Sequence, residues 1–281
     1  MNDILTLLAR AEAPLSSLAT GSYLVAMLLF WAQLFLLPRQ SEARKFSLGA
    51  GGRALLWTGA SLHFLALAGQ GDALWMMKAG VVGLFGWILI VAFLLVGRKI
   101  GVGAGAIVAP IALVCTLYSL TAPKLHSWTP PGRLDAIWSA AHIFLILSGY
   151  AALAFAFAAS LLYLAQENLL KRKKLTGLWQ KLPALHVADE WIYRATAFGL
   201  ALLTLGLLTA IAFSWLKNPG YVAWRDPKVV FSGVTWAIFT SYLVTRAKLG
   251  WHGRRSNLVV IYGFVVMVIS FLGVPHLGLG R

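Results

Sequence analysis

Charge and cysteine are scarce in this sequence. Only 12% of its 281 residues are charged, and 9 Asp and Glu stand against 24 Lys and Arg. The single cysteine, Cys115, excludes an intramolecular disulfide framework and a CxxC redox pair. Hydrophobic residues instead make up 59% of the chain, and the mean hydropathy is +0.77. This composition is typical of a polytopic membrane protein.

Long apolar stretches divide the chain. A bilayer core about 30 Å thick takes about 20 apolar residues per helix. The stretches are continuous rather than alternating, which indicates helices and not the strands of a barrel. We therefore predict an all-α fold, a transmembrane helical bundle of about eight helices that forms one integral membrane domain over residues 1–281. The predicted helices cover residues 18–37, 53–69, 74–96, 104–120, 137–165, 195–215, 228–246 and 257–274.

The positive charges fall on alternating loops. One set of loops and its flanks carries sixteen of the 24 Lys and Arg, including the run 171–174. By the positive-inside rule this set is cytoplasmic, both termini lie on the outer side, and the protein is a multi-pass protein of the bacterial cytoplasmic (inner) membrane. The net charge of +15 thus reflects topology and contact with the lipid bilayer, not nucleic acid. The amino terminus lacks a positive n-region, so we expect the first apolar stretch to be retained as a helix.

One stretch joins a polar loop to the seventh predicted helix. Residues 219–246 read PGYVAWRDPKVVFSGVTWAIFTSYLVTR. A structural interpretation is that Asp226 caps a helix that starts at Pro227, while the tryptophans belong to an interfacial belt. A functional interpretation is that aromatic faces beside cations bind a flat, apolar ligand with acidic edges. Heme fits that description.

Two further segments are predicted at the same outer level. The fifth predicted helix begins near WSAAHIF, with His142 close to its outer end. The eighth ends at SFLGVPHLGLGR, which contains His276. Helix counting brings both histidines to the side that carries the loop with Trp224, so two imidazoles and an aromatic loop converge there.

These segments together resemble the cytochrome c assembly family. The similarity is nearly continuous from Ser139 to the carboxyl terminus, and it includes the Trp, Asp-Pro-Lys and Thr-Arg elements of residues 224–246. The family includes the CcsA/ResC heme proteins, the CcmC heme handlers and the smaller HemX and YpjD groups, and the short first four helices point to the HemX and YpjD side. Val244 departs from the family, where a His directly precedes the Thr-Arg.

The resemblance implies a non-covalent, b-type heme. His142 and His276 would be the axial ligands of the iron. The chain has no CxxCH motif, so it cannot hold a c-type heme itself. Zinc is the alternative metal, although the outer side offers no cysteine. The other candidate cofactor-binding residues are Trp224, Arg225, Trp138, Trp128 and His63.

His63 lies near the middle of the second predicted helix. An ionisable group at that depth is costly and therefore marks a functional hypothesis. The alternative is that His63 hydrogen-bonds a neighbouring helix. In the larger heme-exporting members of the family that this chain resembles, a second, intramembrane pair of histidines receives heme from the cytoplasmic side. Val244 stands where one of that pair is expected, so the resemblance puts transmembrane export of heme in doubt, while an outer heme site stays an expectation.

Three functions remain open at the level of sequence. The first is a heme-binding membrane protein that handles or senses heme at the outer face in cytochrome c biogenesis, without covalent catalysis of its own, since no nucleophile and base pair is visible there. The second is a HemX-like regulator of heme synthesis that acts through a protein partner, contacted by the basic loop 166–194. The third is a small-solute transporter or scaffold with incidental histidines. Expected partners are heme and other cytochrome c assembly or heme-synthesis proteins.

Overall fold

A computed structural model describes residues 2–36, 42–71, 73–100, 102–122, 132–173, 182–217 and 226–274. Every regular element in these ranges is helical, which confirms the predicted all-α fold. Eight of the described helices are long and one, α3, is a single turn. Their bounds are α1 Asn2–Trp31, α2 Glu42–Gly69, α3 Ala73–Met76, α4 Lys78–Ile100, α5 Val102–Thr121, α6 Arg133–Lys171, α7 Leu185–Lys217, α8 Pro227–Leu249 and α9 Arg254–Val268. Short π-helical turns, Ala32–Leu36 and Ile269–Gly273, continue α1 and α9.

Most of the helices begin before the predicted apolar stretches. The first begins at Asn2 instead of residue 18, the second at Glu42 instead of residue 53, and the sixth, α7, at Leu185 instead of residue 195. Hydropathy marks only the part of a helix that lies in hydrocarbon, whereas backbone hydrogen bonding continues beyond it.

Seven of the described helices are long and apolar enough to cross a membrane, and α2 is not among them. It nevertheless runs antiparallel to the candidate span α1 over most of its length. Contacts that fix this register are Glu12 with Gln70, Tyr23 with His63, and Gln33 with Gly49. At 28 residues α2 is about 42 Å long, which is enough to cross a bilayer beside α1.

The chain forms two compact units. Unit 1 comprises Met1–Ser139 and Asn168–Pro183, and unit 2 comprises Ala140–Glu167 and Ala184–Arg281. The expectation of one integral membrane domain stays a prediction, and the units are described in turn.

In unit 1, helices α1, α2, α4 and α5 pack as a ring of antiparallel neighbours. Trp31 Nε1 donates to the carbonyl oxygen of Ala106 at 2.8 Å, and Trp87 Nε1 donates to that of Ala60 at 2.9 Å. Gly86 lets α4 approach α5, since a Cβ added there would lie 2.8 Å from Cβ of Cys115. This order is that of an up-down-up-down four-helix bundle. Its fully buried core includes Tyr23, Phe30, Leu56, Leu89 and Ile90.

In unit 2, the part of α6 from Ala140 onwards and helices α7, α8 and α9 form a second antiparallel ring. The contacts that join neighbours are Gly149 with Gly199, Thr204 with Trp236, Phe239 with Gly263, and Phe271 with Tyr150. Tyr150, Leu153, Ile192, Leu203, Phe239 and Tyr242 are buried between the helices. One end of this ring collects the first residues of the α6 segment that begins at Ala140, the end of α7, the start of α8 and the end of α9.

Candidate functional site

His142 is held by α7 at that end of unit 2. Its Nδ1 atom lies 2.8 Å from the carbonyl oxygen of Gly206 and 3.3 Å from Oγ1 of Thr209. A carbonyl oxygen only accepts, so Nδ1 carries the hydrogen and the lone pair of the neutral ring is on Nε2. Histidines that bind metals use the same hydrogen bond to fix the tautomer and the orientation of the ring. His142 therefore has the donor chemistry of an axial ligand.

Trp138 precedes His142 by one helical turn. Residues four apart lie on the same side of a helix, so the indole and the imidazole share one side of α6. The tryptophan is 36% exposed and the histidine is half-buried. This side of α6 therefore offers an aromatic face next to a nitrogen donor.

The start of α8 confirms the structural interpretation of Asp226 and Pro227. The Asp226 carboxylate is buried, and its Oδ1 accepts a hydrogen bond from the backbone N–H of Lys228 at 2.8 Å. Pro227 occupies the first turn of α8, where the backbone N–H that proline lacks would have had no intrahelical acceptor. The cap fixes where α8 begins. Trp224 and Arg225, which precede it in the sequence, lie outside the described residues.

Lys228 reaches across to the end of α9. Its Nζ donates to the carbonyl oxygens of Ser270 at 2.7 Å, Phe271 at 3.0 Å and Val274 at 3.3 Å. The ammonium group also lies 5.7 Å from the centroid of the Phe271 ring. The lysine thus connects the motif at the start of α8 to the end of α9, the last helix.

Helices α6 and α9 are antiparallel, and their register can be followed along three contacts. Tyr150 meets Phe271, Phe157 stacks on Phe264, and Tyr163 lies near Gly253. His142 precedes Tyr150 by eight residues, about 12 Å along the helix. His276 follows Phe271 by five residues, a span of about 8 Å in a helix and about 17 Å in extended chain. The register thus places the start of the unit 2 part of α6 beside the end of α9, and His276 and Trp128 lie outside the described residues.

Comparisons with known proteins decide the family. The family model for "Cytochrome C assembly protein" matches residues 75–280. The chain belongs to this family. It is 30% identical over 227 residues to the cytochrome c biogenesis protein CcsA of Prochlorococcus marinus (strain MIT 9303), covering 69% of this chain and 70% of the relative. It is 28% identical over 218 residues to the CcsA protein of Mesostigma viride, covering 69% and 71%. No solved structure matches.

The family match includes most of the candidate residues but not His63. It includes His142, Asp226, Lys228 and His276, and it begins after α2, the helix that carries His63. The protein is therefore a multi-pass membrane protein of the cytochrome c assembly family, and the sequence that resembles the family contains the end of unit 2 described above.

His63 occupies a different environment, in the core of unit 1. It is 2% exposed, and Nδ1 lies 3.4 Å from the Tyr23 hydroxyl. A Cβ added to Gly83 would lie 2.7 Å from Oγ of Ser119 and 3.5 Å from Nε2 of His63. The ring is thus closely packed among the described residues. The geometry favours the hydrogen-bonding alternative, and heme ligation by His63 stays a prediction.

Val244, at the family's histidine position, faces away from the core of unit 2. It is 46% exposed, while the inward side of α8 is formed by Ser232, Thr235, Phe239 and Tyr242. A side chain two residues after Tyr242 lies on the opposite side of the helix. The departure at Val244 therefore leaves the buried side of α8 unchanged.

Sequence reasoning missed an ion pair at the other end of unit 2. The Arg246 guanidinium binds the Asp189 carboxylate through two hydrogen bonds of 2.9 and 2.6 Å, and it also donates to the Tyr242 hydroxyl at 3.4 Å. Both side chains are mostly buried, at 11% and 19% exposed. Arg246 and Asp189 both lie in segments that resemble the family, but the sequence does not show that these two residues pair. This pair joins α7 to α8.

Proposed function

We propose that this protein binds a non-covalent heme at the outer membrane face and handles it during cytochrome c biogenesis. His142 and His276 are the axial ligands of the iron, and both termini lie outside the cytoplasmic membrane. The observation that carries the proposal is the 2.8 Å hydrogen bond from His142 Nδ1 to the Gly206 carbonyl oxygen. It orients the ring and leaves Nε2 as the donor atom.

The residues at this end of unit 2 suit heme in their chemistry. Two imidazoles saturate heme iron and disfavour reaction with O₂, which suits a protein that holds or passes on the group. Trp138 adds an exposed aromatic face on the same side of α6, and Trp224, Arg225 and Trp128 belong to segments that adjoin this end in the sequence. Arg225 is suited to a propionate because guanidinium binds carboxylate through two hydrogen bonds.

The roles of the protein's own groups follow from this arrangement. The carbonyl of Gly206 and the hydroxyl of Thr209 hold the His142 ring in one orientation, with Nδ1 toward α7. The buried cap at Asp226 fixes the start of α8, directly after Trp224 and Arg225. Heme is held and passed on without a covalent step by the protein. Other cytochrome c assembly proteins are the expected partners.

The test is an absorption spectrum of protein purified in mild detergent, with heme quantified per polypeptide as the pyridine complex. We expect a Soret band and the low-spin spectrum of a bis-histidine heme. For variants of the proposed ligand histidines, His252→Ala is the matched control, because His252 is an exposed histidine whose Nδ1 is hydrogen-bonded to the Gly250 carbonyl oxygen. Absence of a Soret band after growth with added heme would contradict the proposal and favour the regulator or transporter.

A further inference from the structure

A turn of four residues, 250–253, joins α8 to α9. Gly250 and Gly253 give it positive φ angles of 63° and 73°, and the Gly250 N–H donates back to the carbonyl oxygen of Thr245. Both helices are candidate membrane spans, Pro227–Leu249 and Arg254–Gly273. A connection this short holds the side chains on either side of it at the surface of the bilayer, among the lipid headgroups.

Three cations flank the α8–α9 turn. Lys248 lies in the last turn of α8, and Arg254 and Arg255 begin α9. All three side chains are exposed, and none has an ion-pair or hydrogen-bond partner among the described residues. The sequence also contains no Asp or Glu after Asp226. The turn is therefore a basic surface whose charge its own segment does not offset.

The two arginines do not serve the stability of α9. The positive end of the helix dipole lies at the start of a helix and disfavours cations there. The N-cap of α9, Gly253, makes no side-chain cap hydrogen bond, and the first turn of α9 contains no acidic residue. Arg254 and Arg255 thus stand where a carboxylate would be favoured. A negatively charged partner would offset this unfavourable placement.

Apolar side chains beside the cations indicate what kind of partner this is. Leu249 is 63% exposed and Trp251 is 39% exposed. Tryptophan is favoured at the membrane interface, and exposed apolar side chains next to Lys and Arg are typical of surfaces that enter the headgroup region of anionic lipids. A soluble anion would leave both side chains in water, whereas a lipid covers them.

A groove of about 510 Å³ adjoins the turn and has space for a headgroup. Its lining includes His186, Asp189, Glu190, Arg194, Arg246 and His252. Both carboxylates are paired, Asp189 with Arg246 and Glu190 with Arg194, so the charges of these four side chains offset one another. The unpaired cations of the turn therefore set the sign of the local charge, and it is positive.

We propose that the α8–α9 turn binds the headgroup of an anionic phospholipid. Arg254, Arg255 and Lys248 pair with the phosphate, which guanidinium groups bind through two parallel hydrogen bonds. Leu249 and Trp251 enter the boundary between headgroups and acyl chains. The turn lies at the opposite end of unit 2 from His142, and the site does not depend on heme.

The experiment titrates phosphatidylglycerol into protein in a neutral detergent and counts the bound lipids by native mass spectrometry. Arg254→Gln/Arg255→Gln is compared with the matched control Arg172→Gln/Lys173→Gln, which removes the same charge from exposed side chains at the end of α6. A cation near an anionic surface contributes about fivefold to binding, so we expect the first pair to weaken binding about 25-fold and the control to change it little. Wild-type protein should retain phosphatidylglycerol in preference to phosphatidylcholine.

Thermal unfolding in phosphatidylcholine nanodiscs shows whether the variant is intact. We expect Arg254→Gln/Arg255→Gln to unfold at a temperature no lower than wild type, because it removes cations from the start of a helix. Should it unfold at a lower temperature, Lys248→Gln, which leaves α9 unchanged, takes its place with an expected loss of about fivefold.

Three results would overturn the proposal. Equal weakening in the control pair would attribute lipid binding to diffuse attraction by the basic loops. Equal retention of phosphatidylglycerol and phosphatidylcholine by wild-type protein would exclude an anionic headgroup site. Displacement of the lipid by an equal concentration of glycerol phosphate would make a soluble phosphate the ligand.

Discussion

His63 in unit 1 and His142 in unit 2 are both histidines within long helices, yet their surroundings differ. The ring of His63 is 2% exposed and is enclosed by Tyr23, Ser119 and the backbone at Gly83. The ring of His142 is half-buried, and its Nδ1 is held by a backbone carbonyl. Depth in the membrane made His63 a candidate, whereas a place near the outer end of its helix and the family resemblance made His142 one. The hydrogen-bond partner and the packing distinguish the core histidine His63 from His142, the ligand that we propose.

The two four-helix units also differ in which side chains their closely packed helices bring together. In unit 1 the close approach of helices brings small residues together around a buried polar pair. In unit 2 the helices also approach closely, at Gly149 and Gly199, but one end of the ring gathers a capped helix start, a capped helix end and a histidine. The family match covers all of unit 2 up to residue 280 and leaves out α1 and α2. The match also covers α4 and α5 of unit 1, and its larger part lies in unit 2.

The first prediction is all-or-none and concerns the side of the membrane. We expect a reporter fused after Arg281 to be active only if it works outside the cytoplasm, and a reporter at Lys173 only if it works inside, because the positive-inside rule predicts that the basic loops are cytoplasmic. Paired alkaline phosphatase and fluorescent protein fusions measure this. The reverse pattern would put His142 on the cytoplasmic side and end the outer-face proposal.

The second prediction compares the two proposed iron ligands with His63. We expect His142→Ala and His276→Ala each to abolish the low-spin bis-histidine spectrum, and the double variant to be little worse than either, since both bind one iron. His63→Ala should keep most of the heme, because its ring is packed in unit 1. Heme per polypeptide and the Soret maximum are the measurements. An equal loss of heme in His63→Ala would place the heme in unit 1.

How much of this was predictable from sequence depends on the kind of contact. Continuous apolar stretches predicted each long helix, because burial in hydrocarbon is a property of the segment itself. The cap at Asp226 was predicted too, since its partner, the backbone N–H of Lys228, is two residues away. The partners of the Lys228 ammonium group were not, because they come from α9, more than forty residues later.

The adjacent acids Asp189 and Glu190 give a second example of the same limit. Asp189 binds Arg246 of α8, whereas Glu190 binds Arg194 on the surface of its own helix. The i,i+4 spacing makes the second pair predictable. Nothing in the sequence says which acid turns toward α8. That choice is made by the rotation of α7 within unit 2, which depends on packing against its neighbours.

The third prediction separates loss of a ligand from loss of stability. Arg246→Met leaves the mostly buried Asp189 carboxylate without its partner, so we expect unit 2 to lose about 3 kcal/mol of unfolding free energy. Arg194→Met is the matched control, because the exposed Arg194–Glu190 pair should be worth about 0.5 kcal/mol or less. Thermal unfolding in detergent measures both.

Arg246 lies at the opposite end of unit 2 from His142, so the folded fraction of Arg246→Met should keep its low-spin spectrum. Adding Asp189→Asn should recover part of the lost stability, since the carboxylate left by Arg246→Met would then be neutral. A spectrum that changes as much as in His142→Ala would mean that the ion pair, and not the capped end of the bundle, controls the heme.

The fourth prediction has the smallest effect and compares one glycine from each unit. In Gly149→Ala the new Cβ would lie 3.0 Å from both the Gly199 carbonyl oxygen and the Leu203 nitrogen, which are backbone atoms of α7. In Gly83→Ala it would meet first the Ser119 hydroxyl, which can turn away. We expect each variant to lose about 1–3 kcal/mol of unfolding free energy, with Gly149→Ala at the higher end because backbone cannot give way. We expect only Gly149→Ala to shift the Soret maximum and the reduction potential of the heme. Gly149 lies where α6 meets α7, and the spacing of these helices sets the hydrogen bond from His142 to Gly206. A shifted Soret maximum in Gly83→Ala with an unchanged one in Gly149→Ala would contradict the assignment to His142 and favour His63 as the ligand.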